Sequence, residues 1–482
     1  MTNYDIYPIL PVVILVAWAM ALLMVELFIL KGRKGWVALL AATGMAVALG
    51  FALSQAGEAS STFGGMAVLD GFSQFFNVLF LLSGLFAVAV SYDYMRRMDI
   101  ERWEYYPLMM LSLSGMMLMA QASDLIVVFL ALELLSIPLY VLSAFAYPKA
   151  SSEEAGMKYF LLGAFSSGFV LYGIALVYGA TGTTSLSGVV DAVASGAANL
   201  TLMTIGAALI LVGFGFKVAA VPFHMWTPDV YQGAPTPVTA FMSVGAKAAG
   251  FASLLRLFAI AFPMLSQDLT PVMWALAAAT MFIGNVVAIS QTNIKRMLAY
   301  SSIAQAGYIL MAFVPFGNPE VARVSVAAAL FYLFAYMLAN FGAWAVVIGL
   351  EKAEDQGLEI ASDYAGLGRK YPAMAAAMTI FMLSLTGMPP TLGLVGKFYL
   401  FRAVIEGGFP GLAVIGVLTS LMSAYYYLRV VVTMYMREGD PHPLREGWLV
   451  FTWGFAAVAT VVLSLAPAAL FDWAAQAVLR LF

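Results

Sequence analysis

Fourteen apolar runs fill this chain of 482 residues, and they constrain its fold more than anything else in it. They lie at about 7–30, 36–54, 68–92, 106–121, 125–147, 157–180 and 201–221, then 235–262, 271–290, 297–314, 321–350, 372–405, 411–436 and 448–470. A membrane strand needs only about 9–11 residues, whereas runs this long suit helices. Helices also satisfy their own backbone in hydrocarbon, which an open strand cannot. Composition agrees: 63% of residues are hydrophobic and 10% charged, against roughly half and a quarter in soluble domains. The expected fold is an all-α polytopic membrane protein of about 14 transmembrane helices, folded as one membrane unit over 1–482.

Several function classes drop out. The chain has no cysteine, which leaves no disulfide, thiolate nucleophile or cysteine-held iron–sulfur cluster. Its two histidines, His224 and His442, are too few and too differently placed for a bis-histidine haem. A net charge of -3 gives no case for nucleic acid. No Gly-rich strand-to-helix phosphate motif is present. No basic residue precedes the first run, which reads as a first spanning helix and not a cleaved signal.

Basic residues set an expected orientation. One side holds Lys31, Arg33, Lys34, Arg96, Arg97, Arg102, Lys149, Lys295, Arg296, Lys352, Arg369, Lys370, Arg437 and Arg445; the other holds Arg323 and Arg480. Both termini are therefore expected outside. The loop 351–371 reads as solvated and cytoplasmic, and the Gly/Ser/Thr-rich 181–199 as an outer loop.

Ionisable groups inside the runs point to function. Glu133 follows Asp124 by nine residues, about 13 Å into its helix. Lys217 stands five residues before Pro222, Lys247 ten after Pro237, and Lys397 seven after Pro389-Pro390. Charges at middle depth are costly and usually functional. Plainer readings stand beside this one. Glu133 could form a structural ion pair, Lys158 could snorkel to the interface, and His224 could be a satisfied polar group at a helix break. Arg256, Arg402 and Arg429 read as anchors. Lysine donates hydrogen bonds only and cannot coordinate a cation, but desolvated it can release and recapture a proton. The prolines free backbone groups that a polar path can use, provided they are buried or face water. Breaks in runs 7 and 12, five apart, suit two inverted five-helix repeats, spans 4–8 and 9–13. The expected divisions are 1–103, 104–262, 263–436 and 437–482.

The stretch Pro222-Phe223-His224-Met225-Trp226-Thr227-Pro228-Asp229-Val230-Tyr231, continuing to Val238, with Lys247-Ala248-Ala249-Gly250-Phe251, resembles the antiporter-like subunits of respiratory complex I. So does Gly387-Met388-Pro389-Pro390-Thr391 through Lys397 to Phe401. Leu394 departs from a commonly aromatic position and leaves the charges untouched. The resemblance covers essentially the whole chain, and the full first three helices look bacterial. It implies that Glu133 and Lys217 form a coupling pair, Lys247 the central relay and Lys397 the exit group, with Lys158 and His224 auxiliary on the input path. It implies proton translocation driven by electron transfer from NADH to quinone, with NAD, FMN, iron–sulfur clusters and quinone held by other subunits and no cofactor or metal in this chain. The implied neighbours are other antiporter-like and small membrane subunits and the lipid bilayer, in a bacterial inner membrane. The alternatives are a subunit of a multisubunit cation/proton antiporter and a structural spacer.

Overall fold

Side-chain caps and prolines set many of the helix starts. Asp70 accepts from the Ser73 amide while Ser73 reaches back to the Asp70 amide, a reciprocal box that satisfies two orphan donors. Asp124, Asn199, Asn293 and Asn318 each cap the helix that follows. Pro319, Pro372 and Pro410 open helices where a missing N–H costs nothing. The computed structural model describes residues 5–25, 35–352 and 358–478. Lys31, Arg33, Lys34 and Arg480 of the orientation count lie outside them, as does the end of the first run.

The elements run α1 (Leu10–Val25), α2 (Gly35–Ser54), a hairpin of β1 (Ser60–Thr62) and β2 (Ala67–Leu69), α3 (Gly71–Arg97), α4 (Tyr105–Gln121), α5 (Leu125–Ser143) and α6 (Ala150–Thr181). Next come α7 (Leu186–Ala194), α8 (Leu200–Val218), α9 (Trp226–Gly233), α10 (Thr236–Phe241), α11 (Lys247–Arg256), α12 (Ser266–Ile289), α13 (Ile294–Leu310) and α14 (Pro319–Leu350). The chain closes with α15 (Ile360–Asp363), α16 (Leu367–Lys370), α17 (Pro372–Thr386), α18 (Leu392–Glu406), α19 (Pro410–Met436), α20 (Gly447–Leu465) and α21 (Ala468–Val478). Among the described residues, 12 helices are long and apolar enough to cross a membrane. They fall on twelve of the fourteen expected runs. The other two runs carry shorter pieces: α4 of 17 residues, and α17 and α18 of 15 each.

Burial sorts these helices into a core and a rim. The stretches Thr236–Ala261 and Ile294–Gly317 are almost wholly buried, and α14 is buried along most of its length. A helix apolar on all sides belongs inside. By contrast α19 and α20 turn Leu421, Tyr425, Phe451, Val458 and Leu465 outward, large apolar groups that suit lipid. This is a membrane protein whose polar business lies along its central helices.

One close crossing positions the site. Helices α6 and α8 meet at Gly173 and Gly206, where an added Cβ on Gly206 would stand 2.8 Å from the Gly173 carbonyl oxygen. Small residues let such backbones touch in a membrane. Gly206→Val is expected to cost about 1–3 kcal/mol by overpacking, seen as a lower thermal midpoint of the purified protein. An unchanged midpoint would remove this crossing from the list of determinants.

The structure corrects several expectations. Loop 181–199 contains α7, because Ser185 caps it and Leu186 and Val189 are buried. The described part of loop 351–371 is not simply solvated. Glu351 and Tyr364 are buried there, with Glu351 accepting from Tyr94 Oη at 3.3 Å. Residues 353–357 lie outside the described set. Arg256 is no interfacial anchor but a buried partner of Asp70. Past α20 the chain adds α21, which packs on α3 and α14.

Candidate functional site

The break in run 7 begins earlier than Pro222. Helix α8 stops at Val218 because Ala219 turns left-handed at φ 62°, an unfavourable state for a residue with a Cβ. Lys217 thus occupies the last turn of α8, where a cation favours the free carbonyls. The liberated groups find partners: Val221 N–H donates to Thr280 Oγ1 at 2.9 Å, and Trp226 Nε1 to the Phe216 carbonyl at 2.9 Å. Lys217 is 4% exposed. Its Nζ donates to Ser136 Oγ at 2.8 Å and to Tyr159 Oη at 3.2 Å. Tyr159 stacks on Trp226 with centroids 4.7 Å apart, so α6 ties together both sides of the break.

Lys247 sits immediately after a π-helical turn, Met242–Ala246. Such turns interrupt the regular ladder and concentrate at functional sites. Its Nζ donates to the Ser302 carbonyl at 2.6 Å and to Ser302 Oγ, which also accepts from Tyr336 Oη at 2.9 Å. Asn340 Nδ2 reaches Ser243 Oγ within the π turn itself.

Lys397 serves the second break. Helix α17 ends at Gly387, whose φ of +88° continues no helix and whose missing Cβ would stand 2.9 Å from Lys397 Cδ. The Leu385 and Thr386 carbonyls, among the last four of α17, lack helical donors. Lys397 Nζ supplies them at 3.0 and 2.9 Å and donates to Ser420 Oγ at 2.8 Å. It also lies 4.2 Å from the Tyr308 ring centre.

The other expected residues are less closely joined. Glu133 is partly buried, and its Oε1 has no hydrogen-bond partner. It makes no ion pair among the described residues. Lys158 is partly exposed at a mouth of about 280 Å³, paired at 2.7 Å with both Glu154 and Asp229. Asp229 also binds Arg296 at 2.9 Å. His224 is partly buried with Nδ1 unpartnered, and its Nδ1 therefore reaches none of Lys217, Lys247 and Lys397. Among the described residues, then, Lys217, Lys247 and Lys397 donate to neutral hydroxyls and carbonyls and not to a carboxylate, whereas the equally buried Lys295 donates to the Ala234 carbonyl and lies 4.0 Å from Glu351.

Sequence reading missed most of those partners. Ser136 could have been found, since it lies one turn after Glu133 on the same helix. Tyr159, Ser302, Tyr308, Tyr336 and Ser420 give no such signal, because single hydroxyls are ordinary in helices of this kind.

Chemically, the arrangement can hold a proton at Lys217, Lys247 or Lys397 and pass it only through neighbours that move or through water. Known proteins supply the comparison. A family described as NADH:quinone oxidoreductase/Mrp antiporter, TM matches residues 122–423. The chain is 50% identical to NADH-quinone oxidoreductase subunit N of Trichlorobacter lovleyi, over 96% of this chain and 92% of that one. It is 47% identical to the protein of the same name from Chloroflexus aggregans, over 97% and 96%. It is similar to a chain in the structure of respiratory complex I from Thermus thermophilus with bound Aureothin, with TM-score 0.83 and 36% identity over 96% and 98% of the two chains. A chain of the Mrp complex from a Dietzia species gives TM-score 0.86 at 21% identity over 100% and 98%; that likeness concerns the fold alone.

Proposed function

We infer the role of this chain from one premise: it belongs to the NADH:quinone oxidoreductase/Mrp antiporter transmembrane family. It is a proton-translocating membrane subunit of NADH:quinone oxidoreductase, moving protons through its buried lysines while electrons pass from NADH to quinone in other subunits. The observation that carries this is the triad of deep amines, Lys217, Lys247 and Lys397, at a helix break, a π turn and a second helix break, each held by neutral acceptors. Amines of this kind repel metal cations and exchange protons. Moving one charge against the membrane potential requires about 2.3 kcal/mol per 100 mV, which the redox reaction supplies from outside this chain.

Within this reading Glu133 sets the loading of Lys217 by moving toward or away from it. Lys247 relays and Lys397 exchanges with the far side, while Lys158 and His224 serve the intake. The two repeats, 104–262 and 263–436, each contribute a half-channel, flanked by 1–103 and 437–482. Both termini face outward from a bacterial inner membrane. NAD, FMN, iron–sulfur clusters and quinone belong to partner subunits, and the flanks of this chain meet other antiporter-like and small membrane subunits.

Purification of the complex through a tag on this chain tests the reading. Flavin and iron–sulfur proteins should accompany it, with NADH-dependent quinone reduction in the same fraction. Recovery instead with small antiporter subunits and sodium-dependent transport would favour the exchanger and end the present reading. The identity of 50% and 47% to quinone oxidoreductase subunits over nearly whole chains supports the former.

A further inference from the structure

Lys247 and Lys397 are connected, apart from one peptide link, by direct hydrogen bonds among buried groups. Lys247 Nζ binds Ser302. The hydroxyl of the adjacent Ser301 bonds to Tyr427 Oη. Tyr427 Oη accepts from Gln305 Nε2 at 3.1 Å, and the same nitrogen donates to the Leu385 carbonyl at 2.9 Å. That carbonyl is where Lys397 Nζ also donates, at 3.0 Å. Ser301, Ser302, Gln305, Tyr427 and Lys397 are all 2% exposed or less.

Chemistry fixes which way the amide of Gln305 points. A backbone carbonyl only accepts, so the group facing Leu385 is the nitrogen. The amide oxygen then faces Tyr332, whose hydroxyl donates to it. Both N–H directions and the oxygen are therefore engaged, and the amide cannot turn without breaking three bonds. The phenol of Tyr427, accepting from Gln305, has its own proton left for Ser301.

The geometry points to Gln305 as a lock, a positioning residue that keeps the Lys247 limb and the Lys397 limb apart for protons in this conformation. The inference rests on the proton-translocation reading above and deepens it. Two donors, Gln305 N–H and Lys397 N–H, converge on one acceptor that cannot itself carry a proton onward. A neutral amide offers no second protonation state near physiological pH. A proton from Lys247 crosses the peptide link between Ser302 and Ser301 only through water or a moving hydroxyl, and even once at the phenol of Tyr427 it stops there. Passage requires the amide to turn or Lys397 to leave the Leu385 carbonyl, and either motion is something a coupled partner can drive.

Replacing the amide by an acid of the same length removes the lock while keeping its shape. The test uses the whole complex in sealed liposomes, with quinone reduction, pumped protons per electron, and passive proton leak under an imposed potential all measured. Gln305→Glu should retain quinone reduction, raise the passive leak several-fold and lower the pumping ratio. Gln305→Leu, which provides no titratable group, should leave the leak at the wild-type level. Combining Gln305→Glu with Lys397→Ala should abolish the extra leak, because the opened route ends at that amine. A leak in Gln305→Glu equal to wild type overturns the lock, as does an equal leak from Gln305→Leu, which would mean that packing and not the amide matters. Lys397→Ala alone separates the two failures. If it stops pumping while Gln305→Glu does not leak, only the lock falls; if it pumps normally, the parent reading falls.

Discussion

Lys217→Ala is expected to bring proton pumping by the assembled complex to background while the complex still forms. The amine donates to Ser136 and Tyr159 and makes no ion pair among the described residues, so its removal breaks none. Ser136 Oγ already donates to the Leu132 carbonyl at 2.6 Å. Desolvating an ammonium costs several kcal/mol, so a purely structural role for Lys217 would be an inefficient use of the site. A positioned proton-transfer group is worth about 10²–10⁴-fold in rate, enough to take pumping below detection. Lys217→Arg sharpens the test. The guanidinium keeps the charge but does not release its proton in proteins, so it too should fail to pump. Proton uptake into liposomes during NADH oxidation is the measurement. Wild-type pumping by Lys217→Ala, in a complex shown to be fully assembled, would discard this chain's proposed proton path.

The sequence made the fold class and three deep lysines readable for the same reason. In hydrocarbon both a long apolar run and a buried charge are rare choices with large energetic consequences, so they stand out one residue at a time. Lys217, Lys247 and Lys397 are all buried in the structure. What stayed hidden were features with small individual signals. The π turn before Lys247 has an ordinary composition, Met-Ser-Val-Gly-Ala, and packs against α14, α3 and α4. Ala219 conceals the true end of α8, since nothing in an alanine announces a left-handed residue. Gln305 and Tyr427 stand 122 positions apart, and only the tertiary fold shows that they meet. Arg256 was misread for a related reason. Its charge was visible but its partner was not, because Asp70 lies 186 residues away.

That pair supports the second large expectation. Arg256 Nη1 and Nη2 each reach one oxygen of Asp70 at 2.9 Å, a bidentate bond between α11 and the residue that caps α3. Arg256 lies 5.0 Å over the Phe72 ring as well. Arg256→Ala strands a buried carboxylate, which costs about 3–5 kcal/mol and should lower the thermal midpoint of the complex markedly. Arg256→Lys should recover only part of this, because an ammonium cannot make the fork. Acidity provides the signature. In the wild type, burial works to raise the Asp70 pKa, but the charge and hydrogen bonds of Arg256, with those of Ser73, outweigh it and hold the carboxyl below its ordinary value. A lowered folded-state pKa gives stability that is present above the unfolded value, about 3.9, and is lost as pH falls through the folded one. Without Arg256 the burial effect stands alone and the sign reverses, so that protonating Asp70 relieves the damaged protein. The gap between wild type and Arg256→Ala should therefore narrow on acidification from pH 7. A gap that stays constant or widens would mean that the pair contributes packing and not charge.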